Sequence, residues 1–322
     1  MNPFREKTEY ALLCGLIGLL KILPTSLVEG FFKLFGALFF LISFRRRSFT
    51  LTNLKIAFPE KRFSERFGIA WRSFQNMALF TGDSFLILAG KLTPDMIRTR
   101  VDETHLDKYR AIKASAKNGI IHLTGHLGNW ELLGNYGAVR GLESHVVARK
   151  GNNRLIDEKV IVPMRTRYGN KVFYKENAMI NTVKALKRNQ AVSFLIDQKI
   201  GRKEGVAVTF FGQEILAVAS CAVLQLRFHP VVVPTFMIKT GYRKYKWLVG
   251  DPIEWTDDGS SKEEQIQKLT QRYQSIIEET IRAYPDQWFW MHNRFKLMNA
   301  RTRRRKKRRA SERAARRNRP TL

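Results

Sequence analysis

Gly119-Ile120-Ile121-His122-Leu123-Thr124-Gly125-His126-Leu127-Gly128-Asn129-Trp130-Glu131-Leu132-Leu133-Gly134 changes character halfway along its length. Ile120 to Leu123 is a short apolar run of the kind that forms a strand buried on both faces, and Asn129 to Val139 has the spacing of a helix. Two glycines, Gly125 and Gly128, separate them and free the backbone to turn. The turn matters for chemistry. On one continuous helix, side chains five residues apart point about 140° away from each other, so His126 and Glu131 could not meet there. With a break between strand and helix the two converge at the carboxyl end of a sheet, where open α/β folds bind their ligands.

Working outward, the pattern repeats. Strands are expected at Ile120 to Leu123, His145 to Ala148, Val172 to Tyr174, Ala191 to Ile196, Val206 to Phe211 and Val231 to Phe236. Helices are expected between them at Asn129 to Val139, Leu155 to Tyr168, Ala178 to Lys187 and Ala217 to Phe228. The alternation predicts an α/β fold, a central mixed or mainly parallel sheet flanked by helices. Ser261 followed by Glu264 opens a long closing helix to Tyr284. Before the sheet, Asn53 to Phe58 reads as a short helix stopped by Pro59, and a second helix follows with Ser64 as its N-cap. Its buried face is expected at Phe67, Ala70, Trp71, Phe74, Met77 and Ala78.

The two ends differ from this body. Apolar runs at Tyr10 to Leu20 and Leu34 to Phe44 are each shorter than the roughly 18 residues of a clean spanning helix. Snorkelling of Lys21 and Lys33 would extend either run into a tilted or interfacial helix, with Arg45, Arg46 and Arg47 on the cytoplasmic side. Three regions result: an N-terminal membrane-anchoring segment of hydrophobic helices (1–47), an α/β domain (48–300) and a disordered polybasic tail (301–322). The tail carries twelve Lys/Arg against one acid, yet a net charge of +29 for the 322 residues leaves the body strongly basic as well. Such a surface favours anionic partners: lipid head groups, an acidic carrier protein or nucleic acid. No aromatic residue interrupts the tail to stack on bases, so an arm on an anionic membrane or carrier is the reading, with no specific nucleic acid expected; the rival is a membrane-tethered nucleic-acid-binding module. Cys14 and Cys221 are too few for a disulfide framework or a zinc knuckle, and a reducing, cytoplasm-facing body fits. No glycine-rich phosphate loop is present, and no cofactor is expected.

The histidine and carboxylate suit one reaction type. An alcohol is a poor nucleophile at neutral pH, and His126 as general base would take its proton as it attacks a thioester carbonyl, with Glu131 orienting the ring. No serine or cysteine stands in a G-x-S-x-G pattern, so the substrate supplies the hydroxyl. Gly128 and Asn129 are the candidates for oxyanion stabilisation or positioning. Arg149 and Arg165 are candidates for phosphate groups on the acceptor, which guanidinium matches with paired hydrogen bonds. Asp197, at the end of an apolar strand, is read as ordering a turn or an arginine, and Trp288, Phe289 and Trp290 as filling a core.

His126-Leu-Gly-Asn-Trp-Glu131 resembles the lysophospholipid acyltransferase superfamily, specifically the lipid A biosynthesis late acyltransferases. Further blocks carry the resemblance in order: Asn53-Leu54 with Ala57-Phe58-Pro59-Glu60, then Arg149, Leu155-Ile156-Asp157 and Arg165 with Gly169. Asp197-Gln198, Gly205-Val206, Phe210-Phe211-Gly212 and the closing Tyr284 to Lys296 follow, so the similarity extends over residues 10–298. The segment Gln213 to Cys221 departs from the family's small-residue and proline/threonine pattern, and Asn293-Arg294 from its commoner pair of arginines. The resemblance implies a glycerolipid acyltransferase-like fold and an enzyme of the bacterial inner membrane, its catalytic domain facing the cytoplasm. It would move a fatty acyl chain from acyl carrier protein to a hydroxyl of a lipid A precursor or related glycolipid. An acyl-CoA donor with a glycerophospholipid or mannosylated lipid acceptor uses the same chemistry and is the alternative.

Overall fold

A computed structural model of the protein describes residues 2–174, 176–201 and 205–295. The basic tail and its expected disorder lie outside these residues.

The centre is a seven-stranded sheet in the order β1-β9-β8-β2-β5-β3-β4. Its strands are β1 (Val101–Asp102), β2 (Ile120–Thr124), β3 (Ser144–Ala148), β4 (Lys171–Tyr174), β5 (Ala191–Leu195), β8 (Val231–Gly241) and β9 (Lys244–Val249). All neighbours run parallel except β8 and β9, which form an antiparallel hairpin. The sheet is therefore mixed. β2, at its centre, is buried at every residue because helices cover both faces.

Helices α1 (Pro3–Ile22), α2 (Thr25–Ile42), α3 (Phe44–Ala57), α4 (Phe63–Leu88) and α5 (Pro94–Arg100) precede the sheet. Then come α6 (Leu106–Ser115), α7 (Trp130–Val139), α8 (Arg154–Ile156), α9 (Val162–Thr166), α10 (Ala178–Lys187), α11 (Ser220–Phe228) and α12 (Lys262–Ala283). Ser261 caps α12 in a reciprocal box with Glu264, as its sequence predicts.

Several boundaries differ from the sequence expectation, each for a local reason. The Val206 to Phe211 strand leaves the central sheet: β6 (Gly205–Phe210) pairs only with β7 (Gln213–Val218). Phe211 and Gly212, both at positive φ (49° and 67°), make the two-residue turn that this hairpin needs. β7 takes the first residues of the expected Ala217 to Phe228 helix, which starts instead at Ser220. The Leu155 to Tyr168 helix is broken into α8, a π-helical turn over Asp157–Ile161, and α9. Pro163 lacks the N–H that an unbroken helix would use there. α3 is longer than expected, beginning at Phe44. Ser64 is not a cap: the Arg62 N–H donates to the Glu65 carboxylate (2.7 Å), which places Ser64 inside the first turn of α4. On α4, Ala70, Phe74, Met77 and Ala78 are buried, while Phe67 is 40% exposed at the edge of the packed face.

α2 is the one helix among the described residues that is long and apolar enough to cross a membrane, by length and composition. One stripe, Val28, Phe32, Gly36 and Phe40, is buried against α4. Gly36 allows the close crossing: a Cβ there would lie 2.9 Å from Ala78 Cβ and 3.0 Å from Phe74 O. Leu27, Phe31, Leu34, Phe35, Leu38 and Leu41, on the rest of the surface, are exposed. Burying a Val or Phe side chain is worth about 1.5–3 kcal/mol, so this stripe holds α2 to the body whatever the exposed side meets.

Candidate active site

Parallel pairing decides where the chemistry collects. β2 and β5 are neighbours in register, Thr124 opposite Leu195. Two residues beyond each strand end stand His126 and Asp197, which the register therefore places side by side. His126 Nδ1 donates to Asp197 Oδ1 (2.9 Å), and the His126 backbone N–H donates to Asp197 Oδ2 (3.0 Å). Gly125 makes room, since a Cβ there would approach Asp197 Cγ to 3.1 Å. The Trp288 indole N–H donates to the same Oδ2 (2.8 Å), so Asp197, only 1% exposed, receives three hydrogen bonds. Burial by itself would push the carboxyl up. The charge and hydrogen bond of the His126 ring outweigh that, with help from Trp288 and the His126 backbone, and bring it down to about 2.

A carboxylate on Nδ1 fixes the imidazole as the tautomer whose Nε2 carries a lone pair. Nε2 has no partner among the described residues, and His126 lines a cavity of about 360 Å3. The wall opposite the sheet is the first half of α7. Trp130 packs edge-on to the His126 ring at a centroid distance of 5.0 Å.

Glu131 lines the same cavity but makes no hydrogen bond to His126. Its two carboxylate oxygens are taken by Arg165, whose Nε donates to both (3.0 and 3.2 Å) and whose Nη2 also donates to Oε1. This corrects the expected pairing. A planar guanidinium gives a carboxylate two parallel bonds where an imidazole gives one, so the fork captures Glu131 and leaves His126 to Asp197. It also commits Arg165, expected to meet phosphate, to an internal partner. Burial opposes the Arg165 charge, but the adjoining Glu131 carboxylate more than restores it. Arg149, on the cavity rim, donates one hydrogen bond to Asn152 (3.3 Å) and keeps most of its N–H groups available.

The backbone N–H groups of Gly128 and Asn129 hold the loop. The Gly128 N–H donates to Gln287 O (2.9 Å) and the Asn129 N–H to Met237 O (2.8 Å). Gly128 has φ +65°, and a Cβ would sit 2.0 Å from Met237 O, so no other residue fits. The Asn129 side chain caps α7, its Oδ1 accepting from Leu132 N (3.0 Å), and its amide donates to Asp83 Oδ2 (2.9 Å). Asp83, raised by its burial, also bonds Tyr245 and pairs with Arg100 (3.2 Å). Unspent donors do exist nearby: the N–H groups of Trp130 and Glu131, on the first turn of α7, have no partner among the described residues.

The closing segment is structural support for the pair. Asn53 on α3 donates to Trp290 O (2.8 Å) and His292 O (2.7 Å), while Ser73 and Asn76 on α4 donate to Trp288 O and Asp286 O. Phe289 N–H donates to His126 O (3.0 Å). Trp288 and Trp290 are buried, as a core reading expects, but Trp288 also reaches the Asp197 carboxylate. Among the described residues, no three His, Cys, Asp or Glu side chains come together in a way that could hold a metal ion.

The profile of the bacterial lipid A biosynthesis acyltransferases matches residues 3–297, which include every residue of this cavity. The chain belongs to that family. It is 28% identical over 259 residues to the lipid A biosynthesis palmitoleoyltransferase of Escherichia coli (strain K12), covering 78% of this chain and 79% of the relative. A lipid A biosynthesis acyltransferase of Shigella flexneri matches with the same identity and coverage. As a lipid A biosynthesis acyltransferase family member, the chain is an O-acyltransferase.

Proposed function

We propose that the protein transfers a fatty acyl chain from the thioester of acyl carrier protein to a hydroxyl of a lipid A precursor, with His126 as general base and Asp197 as the group that orients it. The observation that carries this reading is the His126 Nδ1 bond to buried Asp197 with Nε2 left open to the cavity. Nε2 takes the hydroxyl proton as the oxygen attacks the thioester carbon. The carbonyl electrons move to its oxygen, and the unspent N–H groups of Trp130 and Glu131 at the positive end of α7 stabilise that oxyanion. Collapse breaks the C–S bond, and the imidazolium gives its proton to the departing thiolate. Asp197 steadies the imidazolium between the two steps, as the acid of a serine-protease triad does. Glu131 acts through Arg165, fixing a cation in the cavity wall, and Arg149 offers an open guanidinium to an acceptor phosphate.

Partners follow from the surface. The basic body matches an acidic carrier, and the exposed apolar side of α2 lies in the cytoplasmic face of the inner membrane, where the lipid acceptor is found. No cofactor beyond the carrier thioester is invoked. The test is turnover by the purified full chain with one acyl group on acyl carrier protein or on coenzyme A, offered to a lipid A precursor and to a lysophospholipid. Product from the carrier and the lipid A precursor is expected, and H126A should lower the rate about 10²–10⁴-fold while the fold survives. Transfer only from coenzyme A to the lysophospholipid would replace the donor and acceptor named here; unchanged turnover by H126A would remove the base.

A further inference from the structure

The cavity beside His126 is not uniformly apolar. Leu133, Val146, Val147 and Leu195 form much of its wall, as an acyl chain requires, but Thr124 on β2, Ser193 on β5 and Asn135 on α7, each with a side-chain oxygen, line the same space. Ser193 is satisfied: it bonds Ser144 Oγ (2.7 Å) and His122 Nδ1 (3.1 Å). Thr124 and Asn135 are 2% and 1% exposed, yet Thr124 Oγ1 and Asn135 Oδ1 have no hydrogen-bond partner. Asn135 donates one N–H to Glu131 O (2.8 Å) and keeps a bare carbonyl. Buried polar atoms are almost always paired, and a plain hydrocarbon chain lying against these two would leave both unsatisfied.

We infer that the cavity of this enzyme contains a polar subsite that takes a hydroxyl carried on the bound chain. A hydroxyl suits the pair because it donates one hydrogen bond, which Asn135 Oδ1 accepts, and accepts others, which the Thr124 hydroxyl supplies. An amine or carboxylate does not: the first cannot accept when charged, and the second has nothing to give Asn135. The inference rests on the acyl-transfer reading in placing a chain in this cavity, and it adds a selection rule, preference for a hydroxylated chain over a plain one.

Binding tests it without turnover. The full-length protein is titrated with dodecanoate and with dodecanoates bearing one hydroxyl at successive positions, each displacing a fluorescent fatty acid. One position is expected to bind about tenfold more tightly than dodecanoate, the effect of one well-made hydrogen bond pair in a buried site. T124V and N135L should each bring that ratio close to one, while T124S, which keeps the hydroxyl, should retain it. Circular dichroism checks that each variant is folded. If no hydroxylated chain binds more tightly than dodecanoate, water fills the subsite and the inference fails. It fails equally if neither kind of chain binds, or if the preference survives both T124V and N135L. A preference that obeys the variants, in a protein that transfers acyl groups from no donor, would sink the reaction proposed above and leave the subsite standing.

Discussion

In the mechanism proposed above, Asp197 and Glu131 divide the work that the sequence assigns to Glu131 alone, and the difference is measurable. D197N removes the charge that holds the His126 tautomer and is expected to cut kcat about 10²–10⁴-fold with KM little changed. E131Q keeps His126 and Asp197 intact but frees Arg165; its expected effect is weaker binding of the lipid acceptor, a rise in KM larger than the fall in kcat. Steady-state kinetics on the two variants separates the roles, and a D197N enzyme of near-normal kcat would remove Asp197 from the mechanism. A second residue prediction concerns His122. Its ring is fully enclosed, bonded to Tyr109 (2.6 Å) and Ser193, and burial pulls it down to about 4. Unfolded, a histidine binds its proton near pH 6.5. Between the two values the unfolded chain holds the extra proton, so stability declines as pH falls from about 6.5 to 4, by about 3 kcal/mol in all. Denaturant midpoints at pH 7 and pH 5 should show this slope, and H122Q should flatten it. The arrangement of the candidate site was legible only in part. His126 stood out through its glycines, whereas Asp197 looked like any strand-end acid, because nothing in a linear chain says that β5 lies next to β2.

Strands and helices were easier to read than their neighbours in space. The alternation of apolar strands and helical runs from Gly119 onward predicts the central α/β sheet, and β2, β3, β4, β5 and β8 appear where expected. Periodicity failed where a turn outweighed it: Ala217 and Val218 pass for the start of a helix until Phe211 and Gly212 bend the chain back along β6. The β1 edge was missed because a two-residue strand has no period at all. Two glycines carry predictions at this scale. G128A would drive a Cβ into Met237 O and force φ +65° on an L-residue, displacing the loop between β2 and α7. Turnover should fall at least tenfold, out of proportion to any loss in thermal stability. G36V fills the α2–α4 crossing against Ala78 and Phe74, and overpacking of this kind costs about 1–3 kcal/mol, read as a lower unfolding temperature.

Charge and apolar surface act on the molecule as a unit. A net charge of +29 should draw in an acidic carrier by long-range attraction, so raising salt from about 0.05 to 0.5 M is expected to raise KM for the carrier while leaving kcat nearly constant. An unchanged KM would mean that carrier docking is not electrostatic. Replacing Leu27, Phe31, Leu34, Phe35 and Leu38 on the exposed side of α2 by serine should release the protein from anionic vesicles in a flotation assay. Retained flotation would place the lipid contact elsewhere. That surface is not detached from the chemistry. Glu29 on α2 pairs with Arg243 (2.7 Å) and lies 3.8 Å from Arg100, which holds Asp83, which holds the Asn129 that caps the helix bearing Glu131. Trimming the protein to a soluble fragment that starts after α2 would thus strip buried Arg100 of one acid and slacken the far end of the relay. Any such fragment should be judged by its catalytic constant and not by its yield.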